Sequence, residues 1–156
     1  MHNDRPGVLI TGVGRCASIG TEIARQLAAD GWNIAITSYK PDQGFVAAFT
    51  AELESLGLII HSIEADMAEV VVTEAILREA TYVIGPISAL VSSHALCINS
   101  SILNTTQESF DNHFAVNTRA NWLLIRAFAE LYTEPHGVGR IVALTSDHTA
   151  HKLDVN

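Results

Sequence analysis

The sequence is poor in cysteine and in basic residues, and both scarcities limit what the protein can be. Its only cysteines, Cys16 and Cys97, stand in neither a Cys-x-x-Cys nor a Cys/His spacing, so no disulfide framework and no metal site is predicted. Nine Lys and Arg against 17 Asp and Glu give a formal charge of −8, which repels phosphate backbones and anionic lipid. The composition therefore argues against nucleic-acid and membrane partners.

Long hydrophobic runs are also absent. The polar N-terminus leads into only a short apolar stretch, Val8 to Ile10, too short for a signal peptide or a membrane span. Together with the two isolated cysteines, this predicts a cytoplasmic protein. Apolar residues are nevertheless plentiful, at 48% of 156, which excludes wholesale disorder and predicts one domain over residues 1–156.

Short β-rich runs alternate with longer segments of helical periodicity, a pattern typical of βαβ units. It predicts an α/β fold, a Rossmann-type doubly wound parallel sheet that is truncated after its fifth strand. The predicted strands are 8–11, 33–37, 58–63, 88–92 and 140–145, and the predicted helices are 18–29, 43–56, 68–83 and 107–132. The alternation stops after residue 146, so the domain is expected to be incomplete at its C-terminus.

The predicted helices carry apolar side chains at helical spacing. These stripes are Ile19, Ile23, Leu27 and Ala28 in the first helix, Phe45, Phe49, Leu53 and Leu56 in the second, and Phe110, Phe114, Leu124, Phe128 and Leu131 in the last, with the polar Asn117 on a nearby face.

A glycine-rich segment, Thr11-Gly-Val-Gly-Arg-Cys-Ala-Ser-Ile-Gly20, directly follows the first predicted strand. Without a Cβ, Gly12 can make a tight turn, Gly14 can let the backbone approach a pyrophosphate, and Gly20 allows close packing of helix on strand. The helix that begins near Ser18 then directs its free N–H groups and positive dipole end at the phosphates. The segment favours a dinucleotide site, although strand-to-helix turns also use glycine for backbone reasons alone.

This segment resembles the cofactor loop of the short-chain dehydrogenase/reductase family, in the form found in 3-oxoacyl-(acyl carrier protein) reductase-like members. Asp66-Met67 resembles the family's Asp-hydrophobic pair, whose carboxylate accepts from the adenine amino group, and it can equally cap a helix that starts at Ala68. The family's usual Asn-Asn-Ala after the fourth strand is replaced here by Ser92, Ser93 and His94.

Two later positions resemble the family's catalytic residues. Asn117 matches a mid-helix asparagine that holds a water in the proton relay and often distorts the helix; the alternative is a polar residue on a helix face, which its apolar neighbours disfavour. Ser146, at the end of the fifth strand, matches the serine that polarises the substrate carbonyl. The resemblance covers about residues 7–149 and implies an NAD(P)(H)-dependent oxidoreductase acting on a small carbonyl or alcohol substrate.

The family's Tyr-x-x-x-Lys pair, in which lysine lowers the tyrosine pKa for proton transfer, does not occur in this sequence. His148 and His151 are interpreted as solvated side chains rather than substitutes. The chain is therefore expected to be the nucleotide-binding part of such an enzyme, without turnover, its fifth strand left as an edge that favours association into a homo-oligomer. The alternative is a non-catalytic nucleotide-binding or oligomerising fragment.

The residues at the end of the second predicted strand indicate which coenzyme is preferred. NAD preference normally needs a carboxylate there for the ribose 2′-hydroxyl, whereas this sequence has Ser38, Tyr39 and Lys40. Lys40 and Arg15 can face a 2′-phosphate, which favours NADP over NAD unless both are inconsequential surface residues. The predicted cofactor-binding residues are Gly12, Gly14, Arg15, Ser18, Ile19, Gly20, Tyr39, Lys40, Asp66, Met67, Ser92, Ser93 and His94.

Overall fold

The structure, a computed structural model, describes residues 5–146 and contains one five-stranded parallel sheet. The strands are β1 (Gly7–Ile10), β2 (Asn33–Ser38), β3 (Ile60–Glu64), β4 (Ile87–Ser92) and β5 (Arg140–Ala143), in the order β3-β2-β1-β4-β5. The helices are α1 (Ile19–Ala29), α2 (Phe45–Glu54), α3 (Val70–Ile84), α4 (Gln107–Phe114) and α5 (Ala120–Leu131). The predicted Rossmann-type sheet is confirmed. Its strand order reverses between β1 and β4, which opens a crevice at the carboxyl ends of these strands.

Helices cover the two faces of the sheet and form two separate cores. On one face, α1 and α2 pack against alternate strand residues such as Ile10 and Ile36. On the other, α3 and α5 pack against the intervening residues, including Leu9 and Leu90. Because both faces are covered, every residue of β1, β2 and β4 is buried, and their sequences are almost continuously apolar.

The strand β5 differs, because it lies at the edge of the sheet and pairs only with β4. All four of its residues are exposed, and Val142 retains 46% of its accessible surface. The sequence-based expectation of an uncovered edge strand is therefore met within the described residues.

The apolar stripes predicted for the helices are only partly buried. Ile19 is 65% exposed because α1 packs closely on the sheet through the small side chains of Ala24 and Ala28. Leu56 lies beyond the end of α2 and is exposed, so its place on the buried stripe was wrong. The same holds for two residues of the last stripe, Phe110 and Phe114, which point away from the core on α4.

The long helical stretch predicted over 107–132 is present from residue 107 to residue 131, and within it a π-helical turn, Ala115–Arg119, separates α4 from α5. The N–H of Ala120 donates to the carbonyl of Ala115, five residues earlier. The extra residue in this turn changes which faces of α4 and α5 align. Both alanines are buried, whereas Asn117 faces outward. Such π-helical turns occur often at functional sites.

Candidate functional site

A cleft of about 450 Å³ lies at the carboxyl ends of the strands, where the topology predicts a ligand site. Most of the predicted cofactor-binding residues line it: Gly12, Gly14, Arg15, Ser18, Tyr39, Lys40, Asp66, Met67, Ser93 and His94. Three further residues complete the lining, Ala95, Leu96 and Val116. Sequence reasoning selected none of these three as site residues, because their contribution depends on the path of the chain after β4.

The three glycines of the glycine-rich segment differ in what a Cβ at their position would contact. Gly12 has a φ of +76°, and a Cβ there would lie 2.8 Å from the backbone N and Cα of His94. At Gly20 a Cβ would lie 3.2 Å from both the Ser93 Oγ and the Val13 Cγ2, so the first turn of α1 lies close to the segments that follow β4 and β1. A Cβ on Gly14 would meet only ordinary contacts, 3.4 Å from Pro41, although this glycine lines the cleft. Packing within the protein thus accounts for Gly12 and Gly20 but not for Gly14.

The start of α1 is fixed by a side-chain cap. The Ser18 Oγ accepts from the Thr21 N–H at 3.2 Å, and the Thr21 hydroxyl donates to the Arg15 carbonyl at 2.7 Å. The first turn of a helix has N–H groups without intrahelical acceptors, and such groups attract anions. Ile19, although predicted as a site residue, does not line the cleft and stands at this first turn with its side chain exposed.

The floor of the cleft is built around Thr11, which is fully buried. Its Oγ1 accepts from the backbone N–H groups of Ser93 and His94, at 3.0 and 3.3 Å, and lies 2.6 Å from the His94 Nδ1. One threonine thereby joins the end of β1 to the end of β4. The neighbouring Ser92 is buried under the floor rather than lining the cleft.

His94 is half-buried and connects the floor to the π-helical turn. Its Nε2 lies 3.1 Å from the carbonyl of Val116. Burial lowers the pKa of His94, an effect that the bond to Val116 partly opposes, so the neutral imidazole is favoured. Both ring nitrogens are therefore occupied by contacts within the protein.

One wall of the cleft is cationic. Arg15 and Lys40 both line it, and both are exposed. Lys40 adopts a left-handed backbone conformation, with φ +46°, which is uncommon for a residue other than glycine. Its Nζ lies 4.8 Å from the centre of the Tyr39 ring, and the hydrogen bond with Tyr39 is the main factor that raises the pKa of Lys40.

Asp66 is the one carboxylate that lines the cleft within residues 5–146. Its Oδ1 accepts from the N–H of Ala68 at 2.9 Å, which closes a turn after β3. The expectation that it caps a helix starting at Ala68 is wrong, because α3 begins at Val70 and Glu69 occupies the cap position. The next residue, Met67, is buried beside the cleft.

The two predicted catalytic residues do not line this cleft. Asn117 is exposed, contrary to expectation, yet its amide is fully engaged: Oδ1 accepts from the Leu96 N–H and Nδ2 donates to the Leu96 carbonyl, both at 2.8 Å. Ser146 lies after β5, two residues past Leu144, whose N–H donates to the Ser92 carbonyl. His148 and His151 lie outside the described residues.

A metal centre and a membrane-spanning helix are both absent from the described part of the chain. No group of three or more His, Cys, Asp or Glu side chains is placed to hold a metal ion among residues 5–146. None of the helices in that range has the length and apolar character that a bilayer crossing requires.

Comparison with known sequences places this geometry in context. The family described as enoyl-(acyl carrier protein) reductase matches residues 12–154. The oxidoreductase YjdA of Bacillus subtilis, itself uncharacterized, is 29% identical over 146 residues, which is 93% of this chain and 58% of YjdA.

Two solved structures resemble the fold. A short-chain dehydrogenase from Burkholderia cenocepacia in complex with NADP has a TM-score of 0.86 and 31% identity, covering 96% of this chain and 58% of that one. A blue fluorescent protein from a metagenomic library in complex with NADPH has a TM-score of 0.82 and 30% identity, covering 90% and 56%. The chain thus spans little more than half the length of the proteins that it matches.

Proposed function

The chain belongs to the short-chain dehydrogenase/reductase family, and on that premise we propose that its cleft binds NADP(H) for hydride transfer to or from a small carbonyl or alcohol. Solved relatives hold NADP or NADPH, which supports a nicotinamide coenzyme. A bound nicotinamide supplies the hydride chemistry, and the protein supplies binding and orientation.

The observation that carries the proposal is the cationic wall beside the glycine loop. Arg15 and Lys40 line the same cleft as Gly12 and Gly14. A guanidinium and an ammonium attract a 2′-phosphate, whereas the end of β2, Ser38 to Lys40, has no carboxylate to hold a free 2′-hydroxyl, and Asp42 comes too late and does not line the cleft. This combination favours NADP(H) over NAD(H).

The remaining residues have roles that fit a dinucleotide. Gly14, which no packing within the protein requires, allows a diphosphate to approach the main chain and the first turn of α1. Asp66, which lines the cleft beside the apolar Met67, is proposed to accept from an adenine amino group. In the whole protein, Ser146 is proposed to donate to the substrate carbonyl, while Asn117 orients the loop after β4.

Calorimetric titration with NADP⁺ and NAD⁺ tests the coenzyme assignment. We expect NADP⁺ to bind at least about tenfold more tightly, a difference of ~1.4 kcal/mol. Lys40→Asn, which keeps a residue that tolerates the left-handed backbone, and Arg15→Gln should each reduce this preference. Arg126→Gln, which removes an exposed cation of α5 paired with Glu130, is the matched control.

Two results would contradict the assignment. A chain that is folded by circular dichroism but gives no heat with either coenzyme does not have the proposed site. Tighter binding of NAD⁺ than of NADP⁺ would overturn the preference and leave the cationic wall without this function.

We propose further that the 156-residue chain alone binds the coenzyme without turning it over, because it contains no Tyr-x-x-x-Lys. Mixed with NADPH and a panel of small aldehydes and ketones, it should show binding by coenzyme fluorescence and no loss of dihydronicotinamide absorbance. Measurable oxidation would contradict this and would require another proton donor. Binding without oxidation is also what a non-catalytic nucleotide-binding protein would show, so the two are separated by joining the chain to a segment bearing Tyr-x-x-x-Lys.

A further inference from the structure

Residues 94–98, which follow β4 and Ser93, form a loop that is attached to α4 and the π-helical turn at every second position. We call this segment the floor loop. His94 binds the Val116 carbonyl through its ring, as described above. Leu96 is held at both its N–H and its carbonyl by Asn117, and the N–H of Ile98 donates to the His113 Nε2 at 3.1 Å. Because the floor loop also lines the cleft, these attachments determine the shape of the cleft floor.

The contacts of the His94 ring define its tautomer. A carbonyl oxygen only accepts, so the Nε2 facing Val116 carries the proton. In a neutral imidazole the other nitrogen, Nδ1, is then an acceptor, and the Thr11 hydroxyl donates to it over 2.6 Å. The lone pairs of that hydroxyl accept from the N–H groups of Ser93 and His94. The neutral Nε2–H form therefore satisfies every group in the network.

A protonated His94 cannot keep this arrangement. Its Nδ1–H would face the Thr11 Oγ1, which already accepts two N–H bonds. The Thr11 hydroxyl hydrogen would then have only the Val91 carbonyl as an acceptor, at 3.4 Å. At least one of the bonds that join β1, β4 and the floor loop must then be lost.

His113 has the same requirement at the far end of the floor loop. Its Nδ1 lies 2.6 Å from the Ser109 carbonyl and must donate, so its Nε2 accepts from Ile98 only while the ring is neutral.

We propose that His94 is a positioning residue for coenzyme binding: its neutral Nε2–H form holds the floor loop in the binding geometry, and its protonation on acidification releases the loop and weakens coenzyme binding. This inference rests on the proposed function, because the affinity concerned is that for NADP(H). The charged and titratable groups of the cleft, the floor loop, α4 and the π-helical turn are Arg15, Tyr39, Lys40, Asp66, Cys97, Glu108, Asp111, His113 and Arg119. Histidine is the one side-chain type among them that ordinarily titrates between pH 5 and 8.

The direction of the pH effect follows from the burial of His94. Burial lowers its pKa in the folded protein, so the unfolded chain binds more protons as the pH falls below the ordinary histidine range. The contribution of neutral His94 to stability is therefore complete above that range and is lost as the pH falls towards its lowered pKa. Binding that requires the neutral ring weakens in the same direction, by up to about tenfold per pH unit below that pKa.

The experiment is a pH series of NADP⁺ dissociation constants from pH 8 to pH 5, for the full 156-residue chain and for two variants. His94→Gln keeps an amide donor for Val116 but cannot titrate. The matched control, His61→Gln, makes the same change at a histidine paired with Glu79 on β3 and α3, away from the cleft. Because the coenzyme 2′-phosphate itself titrates near pH 6, the informative quantity is the difference between the profiles of the chain and His94→Gln.

We expect the unsubstituted chain and His61→Gln to lose affinity for NADP⁺ more steeply on acidification than His94→Gln. The ratio of the dissociation constant of His94→Gln to that of the unsubstituted chain should therefore fall by at least about threefold between pH 8 and pH 5. Parallel profiles would overturn the proposal. A purely structural role of His94 would lower affinity at every pH and leave the slope unchanged.

A second measurement keeps the inference testable if His94→Gln does not fold. In nitrogen NMR spectra of the unsubstituted chain, the His94 ring should show the Nε2–H form at pH 8, and the amide signals of Thr11, Leu96 and Ile98 should shift together with its titration. An Nδ1–H form, or amides that do not respond, would contradict the proposal. Absence of NADP⁺ binding at pH 8 would instead refute the proposed function, whatever the ring shows.

Discussion

The two sides of β4 differ in how completely they are enclosed. On the β1 side, β1 and β2 are sealed between helices, and Leu9 and Ile36 have no accessible surface. On the β5 side, every residue of the edge strand is exposed, and an apolar groove of about 460 Å³ lies between it and α1, with Trp32 and Val142 in its lining. The half of the sheet that carries the glycine loop is therefore complete within residues 5–146, whereas the half that leads to Ser146 presents uncovered apolar surface.

The difference in enclosure should appear first as a difference in stability. Leu90→Ala, in the sealed strand β4, should cost about 2–5 kcal/mol of the free energy of unfolding, because it leaves a cavity in a covered core. Ile141→Ala in β5 should cost less than ~1 kcal/mol, since its side chain is already 44% exposed. Urea denaturation of both variants gives the comparison. Equal losses would mean that β5 is covered in solution by another surface.

Substitutions at two glycines on the sealed side should distinguish an effect on stability from an effect on coenzyme binding. Gly12→Ala places a Cβ against the backbone of His94 at a positive φ and should cost at least ~2 kcal/mol. Gly14→Ala meets only ordinary contacts and should leave the melting temperature within a few degrees. It should nevertheless weaken NADP⁺ binding by at least about tenfold, as measured by calorimetry. If Gly14→Ala bound NADP⁺ normally, the close approach of a diphosphate at this residue would be refuted.

The smallest expected difference is in stability, between loss of the α1 cap and loss of the α4 cap. Ser18→Ala removes a cap whose oxygen also contacts the Thr21 hydroxyl at 2.8 Å, and should cost about 1–2 kcal/mol. Thr106→Ala removes the cap of α4, an exposed helix with no buried residue, and should cost about 0.5–1 kcal/mol. Thermal melts of the two variants and their double mutant would show whether the effects add, as they should for separated sites. A larger loss for Thr106→Ala would indicate that α4 is more firmly packed than its exposure suggests.

Residues that match a local pattern were the ones that sequence reasoning placed well. The strands were found because runs such as Val8 to Ile10 are continuously apolar, and the glycine loop because it follows a strand and opens a helix. Ten predicted cofactor-binding residues line one cleft, since the carboxyl ends of parallel strands meet at one edge. Their roles, and those of Asn117 and Ser146, stay predictions.

Misplaced residues were those whose environment depends on packing between distant segments. Ile19 and Phe114 fit helical stripes, yet both are exposed, because a stripe does not reveal how closely a helix packs or what covers it. The π-helical turn contains no glycine or proline, so only the family resemblance at Asn117 implied a distortion of the helix there. Thr11 was predicted only to end the first strand and begin the glycine loop, although its bonds to Ser93 and His94, some 80 positions away, build the cleft floor.

The order of strands and helices, the family resemblance and the glycine loop were determined by the sequence itself, because each depends on residues that are neighbours along the chain. The floor of the cleft, the tautomer of His94 and the attachment of the floor loop were decided only by the tertiary structure. These features arise where β1, β4 and the π-helical turn meet, and hydrogen bonds between such segments exist only after the sheet has brought them within about 3 Å of one another.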